Sequence, residues 1–430
     1  MSRVAIVFPY FRTRAYTEVL FPPLGAAFLA SQLRQLGVEV RIFDCTFITF
    51  RQLQNDLLAY HPALVGIYSM VTQSRNTFRI AEMVRKRLPD SLLVAGGPLP
   101  TLYPERYRSA FDAVFRGEAD LSFPHFCQDF LEQKIDRYRL ADLSLDRYAG
   151  LFIDNNDLQV DNPTIHYQEQ TINAFPLPDR SDYHHASYQK EWLQKTGTKA
   201  TSIITTLGCP FNCDFCSRPI FGNLFRCRSL DQVFAEIDQI RALGYDSLWI
   251  ADDNFTLNLS YLRSFCQRMA GQQIGWSCLS RVTGINAEIA QMMKSAGCRR
   301  VYLGLETGDQ ITLDLMKKKA SVEEGMQAVY QFHQAGIEVA AFFIVGYPGE
   351  SLQSIDKTFK LALTLPLDDI SFNVPYPLPG SSLFNRISGL VESDWDTENE
   401  VTFLYSSEFD PDRLKRRIGQ TMQAFAEKKH

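Results

Sequence analysis

Short apolar runs alternate with helix-period segments along most of this 430-residue chain, and that alternation restricts the fold more than any other feature. In residues 1 to about 120 the runs read Val4 to Phe8, Val40 to Phe43, Leu64 to Tyr68, Leu92 to Ala95 and Ala113 to Phe115. Between them, apolar residues recur at helical spacing over Leu24 to Leu36, Arg51 to Tyr60, Arg75 to Arg87 and Glu105 to Ala110. Five such units predict a doubly wound parallel sheet of the flavodoxin or Rossmann kind, whose ligand lies at the carboxyl ends of its strands. Gly96-Gly97-Pro98 stands at one of those ends. Paired glycines there let a backbone approach a flat or phosphate-bearing ligand, and serve an ordinary turn equally well.

Residues 200 to about 376 carry the same unit six times. The strands read Thr201 to Thr205, Ser247 to Ala251, Gly275 to Leu279, Arg300 to Leu303, Val339 to Val345 and Asp369 to Val374. Helical periodicity covers Asp231 to Leu243, Leu259 to Met269, Ala287 to Ser295, Val322 to Gln334 and Ile355 to Leu363. Six right-handed βα units predict a partial (β/α)6 barrel of the TIM type, open on one side, with function at the carboxyl ends of the strands. The whole chain is thus α/β, divided as 1–120, a linker over 121–199, the barrel over 200–384 and a C-terminal cap over 385–430.

The first barrel strand leads into Gly208-Cys209-Pro210-Phe211-Asn212-Cys213-Asp214-Phe215-Cys216, a C-x3-C-x2-C spacing. Soft thiolates at that density suit soft metals, and three of them suit an iron–sulfur cube with one iron left open. Structural zinc takes four ligands, often as two C-x2-C pairs, and no second pair stands in the chain. Three clustered cysteines cannot all pair in disulfides, and the other six, Cys45, Cys127, Cys227, Cys266, Cys278 and Cys298, are scattered singly. Zinc and disulfides remain the lesser readings.

Net charge is −5, with 44 basic and 49 acidic residues in mixed order, so no basic surface is announced for nucleic acid. The longest basic run, Lys317-Lys318-Lys319, follows the apolar segment Ile311 to Met316 and reads as cations at a helix C-terminus. Met1-Ser2-Arg3 runs straight into a strand, and no apolar run approaches the about 20 residues of a membrane span. Nine cysteines without a secretory signal point to a reducing cytoplasm, which an iron–sulfur cluster also requires.

C-x3-C-x-aromatic-C after a strand resembles the signature of the radical S-adenosylmethionine (SAM) family. The resemblance implies a [4Fe-4S] cluster on Cys209, Cys213 and Cys216, SAM chelating the fourth iron, and Phe215 lying against adenine. It extends to the ends of the later strands. Asp252 and Asp253 stand where the family accepts hydrogen bonds from the SAM ammonium, as two carboxylates are suited to do; as isolated residues they could equally cap a helix. Arg281 is a natural partner for the SAM carboxylate. Glu306 resembles the contact with the ribose or methionine end. Gly346, in Ile344-Val345-Gly346-Tyr347-Pro348-Gly349-Glu350, resembles the adenine-binding turn, with its glutamate one residue later than in the commonest spacing.

A second resemblance covers most of residues 1 to 120. Phe21-Pro22-Pro23-Leu24-Gly25, Ser69 to Thr72, Gly96-Gly97-Pro98 and Phe115-Arg116-Gly117-Glu118 occur in this order in the cobalamin-binding domains fused to many radical SAM enzymes. The resemblance implies cobalamin, held by Ser69, Thr72, Gly96 and Gly97. The D-x-H-x-x-G motif that supplies a cobalt histidine elsewhere is missing: the first strand runs into Pro9-Tyr10-Phe11-Arg12, and the nearest histidine, His61, lies in a turn. This implies cobalt without a protein nitrogen, or alternatively a domain that keeps the fold and has lost the cofactor.

The linker holds a hairpin-like pair, Leu151 to Ile153 and Leu158 to Val160, then the connector Phe175-Pro176-Leu177-Pro178-Asp179-Arg180, with His184 and His185 read as solvated. The cap holds an acidic segment, Glu392 to Glu400, and a helix from Pro411 to Ala426 packed on the barrel's open side. As a whole the resemblance implies reductive cleavage of SAM to a 5′-deoxyadenosyl radical and cobalamin-dependent methylation of an unactivated carbon of a small molecule. An electron donor such as flavodoxin or ferredoxin is implied as partner. The same domain order also resembles the anaerobic magnesium-protoporphyrin ester cyclase, for which cyclisation or oxidation takes the place of methylation; a non-catalytic sensor is a remoter alternative. Aromatic and apolar residues are spread without a readable substrate code.

Overall fold

The computed structural model describes residues 3–12, 20–136, 147–154, 159–218, 220–387 and 407–429. The first half is built on β1 (Arg3–Phe8), α1 (Leu24–Gln35), β2 (Glu39–Asp44), α2 (Phe50–Tyr60), β3 (Leu64–Tyr68), α3 (Ser74–Arg87), β4 (Leu92–Gly96), α4 (Pro98–Leu102), β5 (Ala113–Phe115) and α5 (Ser122–Leu131). Strands β1 to β5 are parallel in the order β2-β1-β3-β4-β5, the flavodoxin-like winding, so the switch point lies between β1 and β3. Both faces of the sheet are covered, which is why the strands read as continuous apolar runs rather than alternating ones. Ala27, Ala30 and Leu33 of α1 meet Phe123 and Phe126 of α5 on one face, and Leu53 and Leu57 of α2 pack with Ile80 and Val84 of α3 on the other.

Two expectations change here. The helix read over Glu105 to Ala110 is only a single 3-10 turn, Pro104–Tyr107, preceded by α4; Pro104 has no N–H to continue that helix through. The sheet also extends into the stretch read as a linker, because β6 (Leu151–Asp154) pairs antiparallel with β5 and β7 (Gln159–Asp161) pairs antiparallel with β6. Leu158 of that hairpin and the acidic segment Glu392 to Glu400 lie outside the described residues.

After α6 (Glu169–Ile172) and α7 (His185–Thr196) comes β8 (Ala200–Ile203), followed by a small hairpin of β9 (Thr206–Leu207) and β10 (Arg226–Cys227). The barrel continues as α8 (Leu230–Ala242), β11 (Ser247–Ile250), α9 (Leu259–Met269), β12 (Gly275–Ser280), α10 (Ala287–Ser295), β13 (Cys298–Glu306) and α11 (Gln310–Leu315), then α12 (Val322–Gln334), β14 (Glu338–Ile344), α13 (Leu352–Thr364) and β15 (Asp369–Asn373). Six parallel strands in the order β15-β14-β13-β12-β11-β8 leave β8 and β15 as edges, so the barrel is open between them. Side-chain caps set the helix starts: Ser229, Asn258, Asn286, Asp309, Ser321 and Ser351 each accept a backbone N–H of the first turn. The final helix, α14 (Pro411–Lys429), buries Leu414, Ile418 and Phe425 in the barrel core and packs along α13, where Arg417 pairs with Asp356.

Buried ion pairs fasten the halves together. Arg226 of β10 holds Glu118, beyond β5, at 2.7 Å, and Arg180 of the connector shares Glu236 of α8 with Arg228. Each of these pairs is worth keeping intact, because removing one partner strands a buried charge. His185 is not solvated as read: its ring bridges Tyr245 and the Arg180 carbonyl, at 2.9 and 2.8 Å.

Candidate active site

The cysteine loop occupies residues 208–225, between β9 and β10, at the carboxyl end of the first barrel strand. Gly208 turns the chain into it with φ +79, and a Cβ there would stand 2.1 Å from the Leu224 carbonyl oxygen. Cys209, Cys213 and Cys216 are partly exposed on this loop, while five of the other six cysteines are buried and Cys227 is half-buried. The Cys216 N–H donates to the Cys213 carbonyl, and Arg218 donates to the Cys209 carbonyl and to Asn212. The Arg281 guanidinium lies 3.3 Å from Cys213 Sγ and stacks 3.8 Å over the Phe211 ring.

This donor set fits a cluster. Burial pushes the Cys216 thiol up to about 11, so its thiolate calls for a metal to hold it. Among the described residues no three of His, Cys, Asp and Glu converge on a point that could hold a single metal ion. A cube is gripped at separate corners and needs no such point.

Asp214, the first of the two residues between Cys213 and Cys216, fixes the loop, and nothing in the motif singles it out. Asp214 is fully buried and receives the Tyr347 hydroxyl at 2.5 Å and the Arg386 guanidinium, with Lys317 at 3.4 Å. Its N–H donates to Met316 and its carbonyl accepts from Leu383. Phe215 packs beside Met316, Ile344, Tyr347 and Leu383, with Lys318 Nζ 5.9 Å from its ring centre.

Asp252 and Asp253 part company. Both Asp252 oxygens are occupied within the protein, by the Thr205 N–H at 2.7 Å and by the hydroxyls of Thr205 and Thr206 at 2.6 and 2.7 Å. Asp252 is fully buried, and burial raises its pKa to about 6 against those hydrogen bonds. It therefore braces the approach to the cysteine loop through its bonds to Thr205 and Thr206. Asp253 is exposed and lies within electrostatic reach of both Cys216 and Arg218. Asn254, not picked out before, accepts from the Arg281 N–H at 3.2 Å and so orients that strand end.

Glu306 ends β13 in a left-handed conformation, φ +63, where the ladder to β14 slips register between Gly304 and Glu306. The slip turns its carboxylate to Lys318, and both side chains are over nine-tenths buried. A Cβ at Gly304 would lie 2.4 Å from Glu306 Oε1, so the pair needs glycine there. The Lys318 carbonyl in turn accepts from Arg281. Lys317-Lys318-Lys319 is thus no simple run of helix-end cations, since it ties Glu306, Arg281 and Asp214 together. Gly346 makes a positive-φ turn after β14, and Glu350 closes that turn by accepting the Gly346 and Tyr347 N–H groups at 2.7 and 3.1 Å.

In the first domain a cavity of about 410 Å³ opens at the carboxyl ends of β3 to β5 and runs inward between the sheet and helices α1 and α5. Gly96 and Gly97 line its mouth, with Gly97 at φ +111; a Cβ there would strike the Ser69 carbonyl oxygen at 2.7 Å. The inner walls are apolar, including Ile6, Leu29, Val94 and Phe123. A flat, largely apolar group with a polar attachment fits that shape. Ser69 and Thr72 are not brought to it: the Ser69 hydroxyl is buried against the Tyr107 hydroxyl at 2.8 Å, and Thr72 is exposed outside the lining. His61 caps α2 and is likewise absent from the lining. The barrel closes the cavity with Ile204, Leu207, Ile220, Phe221 and Arg228, which lie on either side of the three cysteines in sequence.

Two family models match this chain: the Radical SAM superfamily over residues 203–362 and the B12 binding domain over residues 13–126. Together they take in more than half of it, and the chain belongs to the radical SAM family in its form with a cobalamin-binding domain. An uncharacterized methyltransferase of Pyrococcus horikoshii is 29% identical over 84% of this chain and 78% of its own length. The anaerobic magnesium-protoporphyrin IX monomethyl ester cyclase of Rubrivivax gelatinosus is 25% identical over 89% of this chain and 69% of its own. The radical SAM methyltransferase TsrM of Kitasatospora setae, solved with cobalamin and a [4Fe-4S] cluster, shares the fold with a TM-score of 0.73. It is 18% identical, over 90% of this chain and 78% of its own. No helix among the described residues is long and apolar enough to cross a membrane.

Proposed function

We propose that this chain is a radical SAM enzyme that uses cobalamin to methylate an unactivated carbon of a small molecule. The observation that carries the reading is the shared wall: the cavity of the first domain is closed by residues on either side of the three cysteines. When bound, the cluster supplies the electron that splits SAM to a 5′-deoxyadenosyl radical, and cobalamin supplies the methyl group. The protein's part is to position and to keep water out.

Cys209, Cys213 and Cys216 would hold the cluster, with the Arg281 cation beside Cys213 easing the thiolate charge. Phe215, Glu306 and Gly346 would hold the nucleoside of SAM, Asp253 its ammonium and Arg281 its carboxylate. Gly96 and Gly97 would carry cobalamin at the cavity mouth. We take the first domain to run from 1 to about 161, where its sheet ends, the connector to 199, the barrel to 384 and the cap beyond. A flavodoxin or ferredoxin is the electron donor of this reading, with a cytoplasmic setting and no nucleic-acid partner.

The cyclase-like reading has one observation in its favour, the cyclase relative aligned over 89% of this chain. Anaerobic turnover separates the two: methyl-labelled SAM labels the product only if a methyl group is transferred.

A further inference from the structure

Among the described residues, three charged side chains reach the wall of the otherwise apolar cavity: Glu118, Asp120 and Arg228. Two are satisfied within the protein. Glu118 takes the Arg226 guanidinium, His166 Nδ1 at 2.8 Å and the Tyr167 N–H at 3.2 Å. Arg228 holds Glu236 at 2.7 Å, donates to the Ile204 carbonyl, and lies 5.4 Å over the Phe28 ring. Asp120 has no hydrogen-bond partner on another described residue. Burial pushes its pKa up to about 6, with the neighbouring Glu118 adding to the effect and Arg226 opposing it. Asp120 is partly exposed to the cavity, so a ligand that fills the cavity and displaces its water makes the carboxylate costly unless that ligand brings it a donor.

The cavity says where that donor belongs. Its inner part is a slot between the sheet, at Gly66 and Val94, and the helices, at Leu29 and Phe123. The slot is kept open to a ring's width partly because residue 66 is glycine: a Cβ there would stand 3.0 Å from Phe123. On the cobalamin reading, this slot suits the flat benzimidazole base of the nucleotide tail. The sugar joined to that base then lies at the mouth. Asp120 stands at the mouth, in the loop from β5 to α5, beside Glu118. Two neighbouring carboxylates repel the tail's phosphate, while a hydroxyl can donate to the one that has no partner, Asp120.

We propose that Asp120 accepts a hydrogen bond from a ribose hydroxyl of cobalamin's nucleotide tail and so selects complete corrinoids over those lacking the tail. The inference rests on the cobalamin reading of the first domain. The competing source of a donor is an amide of the corrin rim, which complete and tail-less corrinoids share.

The test is a binding titration of the full-length, cluster-loaded chain, followed by absorbance, with hydroxocobalamin and with cobinamide, which lacks the nucleotide. Asp120→Ala should weaken hydroxocobalamin binding on the order of ten-fold to a hundred-fold and leave cobinamide within about two-fold. Asp120→Asn, which keeps an acceptor oxygen and the side-chain shape, should fall between wild type and Asp120→Ala for hydroxocobalamin. Equal weakening for both corrinoids would move the contact to the corrin rim and overturn the proposal. So would unchanged binding of both by variants that fold as wild type does. Wild-type protein that binds neither corrinoid would overturn the cobalamin reading itself, an outcome distinct from the others.

Discussion

Lys318 forms a buried ion pair with Glu306 across the register slip that ends β13, and its backbone carbonyl receives Arg281. One residue thus sets two of the side chains assigned to SAM. Removing one partner of a buried pair costs about 3–5 kcal/mol, because the other charge is left without compensation. Lys318→Met should therefore lower chemical stability by that order and weaken SAM binding. Lys318→Met with Glu306→Gln should be less destabilised than Lys318→Met alone, while SAM binding stays weak. Additive losses in denaturant titrations would show that the two side chains do not act as a pair.

Replacing Cys209, Cys213 and Cys216 together by alanine should abolish the visible iron–sulfur absorbance and all cleavage of SAM, since thiolates anchor the cluster. Cys266→Ala should keep both, because Cys266 is buried in the barrel core away from the loop. Asp214→Asn should fall between, retaining iron but losing part of it on dilution, as the loop's ties to Tyr347 and Arg386 loosen. Iron retained in full by the triple variant would remove the cluster assignment.

Asp252 gives a pH signature. Its pKa is raised to about 6 in the folded chain, chiefly by burial. The folded state then binds the proton more tightly than the unfolded state does, so this group's contribution to stability falls as pH rises from about 4 to about 6 and is level above that. Wild type should lose about 2 kcal/mol relative to Asp252→Asn across that window. Denaturation midpoints of the two proteins that run parallel over the window would contradict the burial argument.

Much of this was legible because the polar motifs interrupt otherwise apolar periodicity at strand ends. The six barrel strands, the cysteine loop, and the positions of Arg281, Glu306 and Gly346 at successive strand ends follow from that pattern. What escaped were pairings distant in sequence. Asp214 looks like a spacer between cysteines until Tyr347 and Arg386 arrive from more than a hundred residues away. Lys318 looks like one of three solvated cations until the slip at Gly304 brings Glu306 to it. Asp252 next to Asp253 reads as two equivalent acceptors, yet the bend after β11 sends one inward to Thr205 and Thr206 and leaves the other exposed. Ser69 and Thr72 came from the resemblance alone, and Tyr107 claims the first of them. Asp120 carried no signal, because a missing partner is visible only in three dimensions.

The central claim is methyl transfer coupled to radical cleavage of SAM. It requires SAM in two roles: one molecule takes an electron and splits to methionine and the 5′-deoxyadenosyl radical, which takes a hydrogen atom from substrate, and a second gives up its methyl group as a cation equivalent, leaving S-adenosylhomocysteine; joining that group to the substrate radical takes one further electron, which the same flavodoxin or ferredoxin supplies. The most direct test is anaerobic turnover of the cofactor-loaded protein with methyl-labelled SAM and a small-molecule extract that supports reaction, with all nucleoside products measured. The account predicts 5′-deoxyadenosine and S-adenosylhomocysteine in equal amounts and label in the product. Deoxyadenosine formed with turnover, but without S-adenosylhomocysteine and without label, would contradict it and leave the cyclase-like reading in its place.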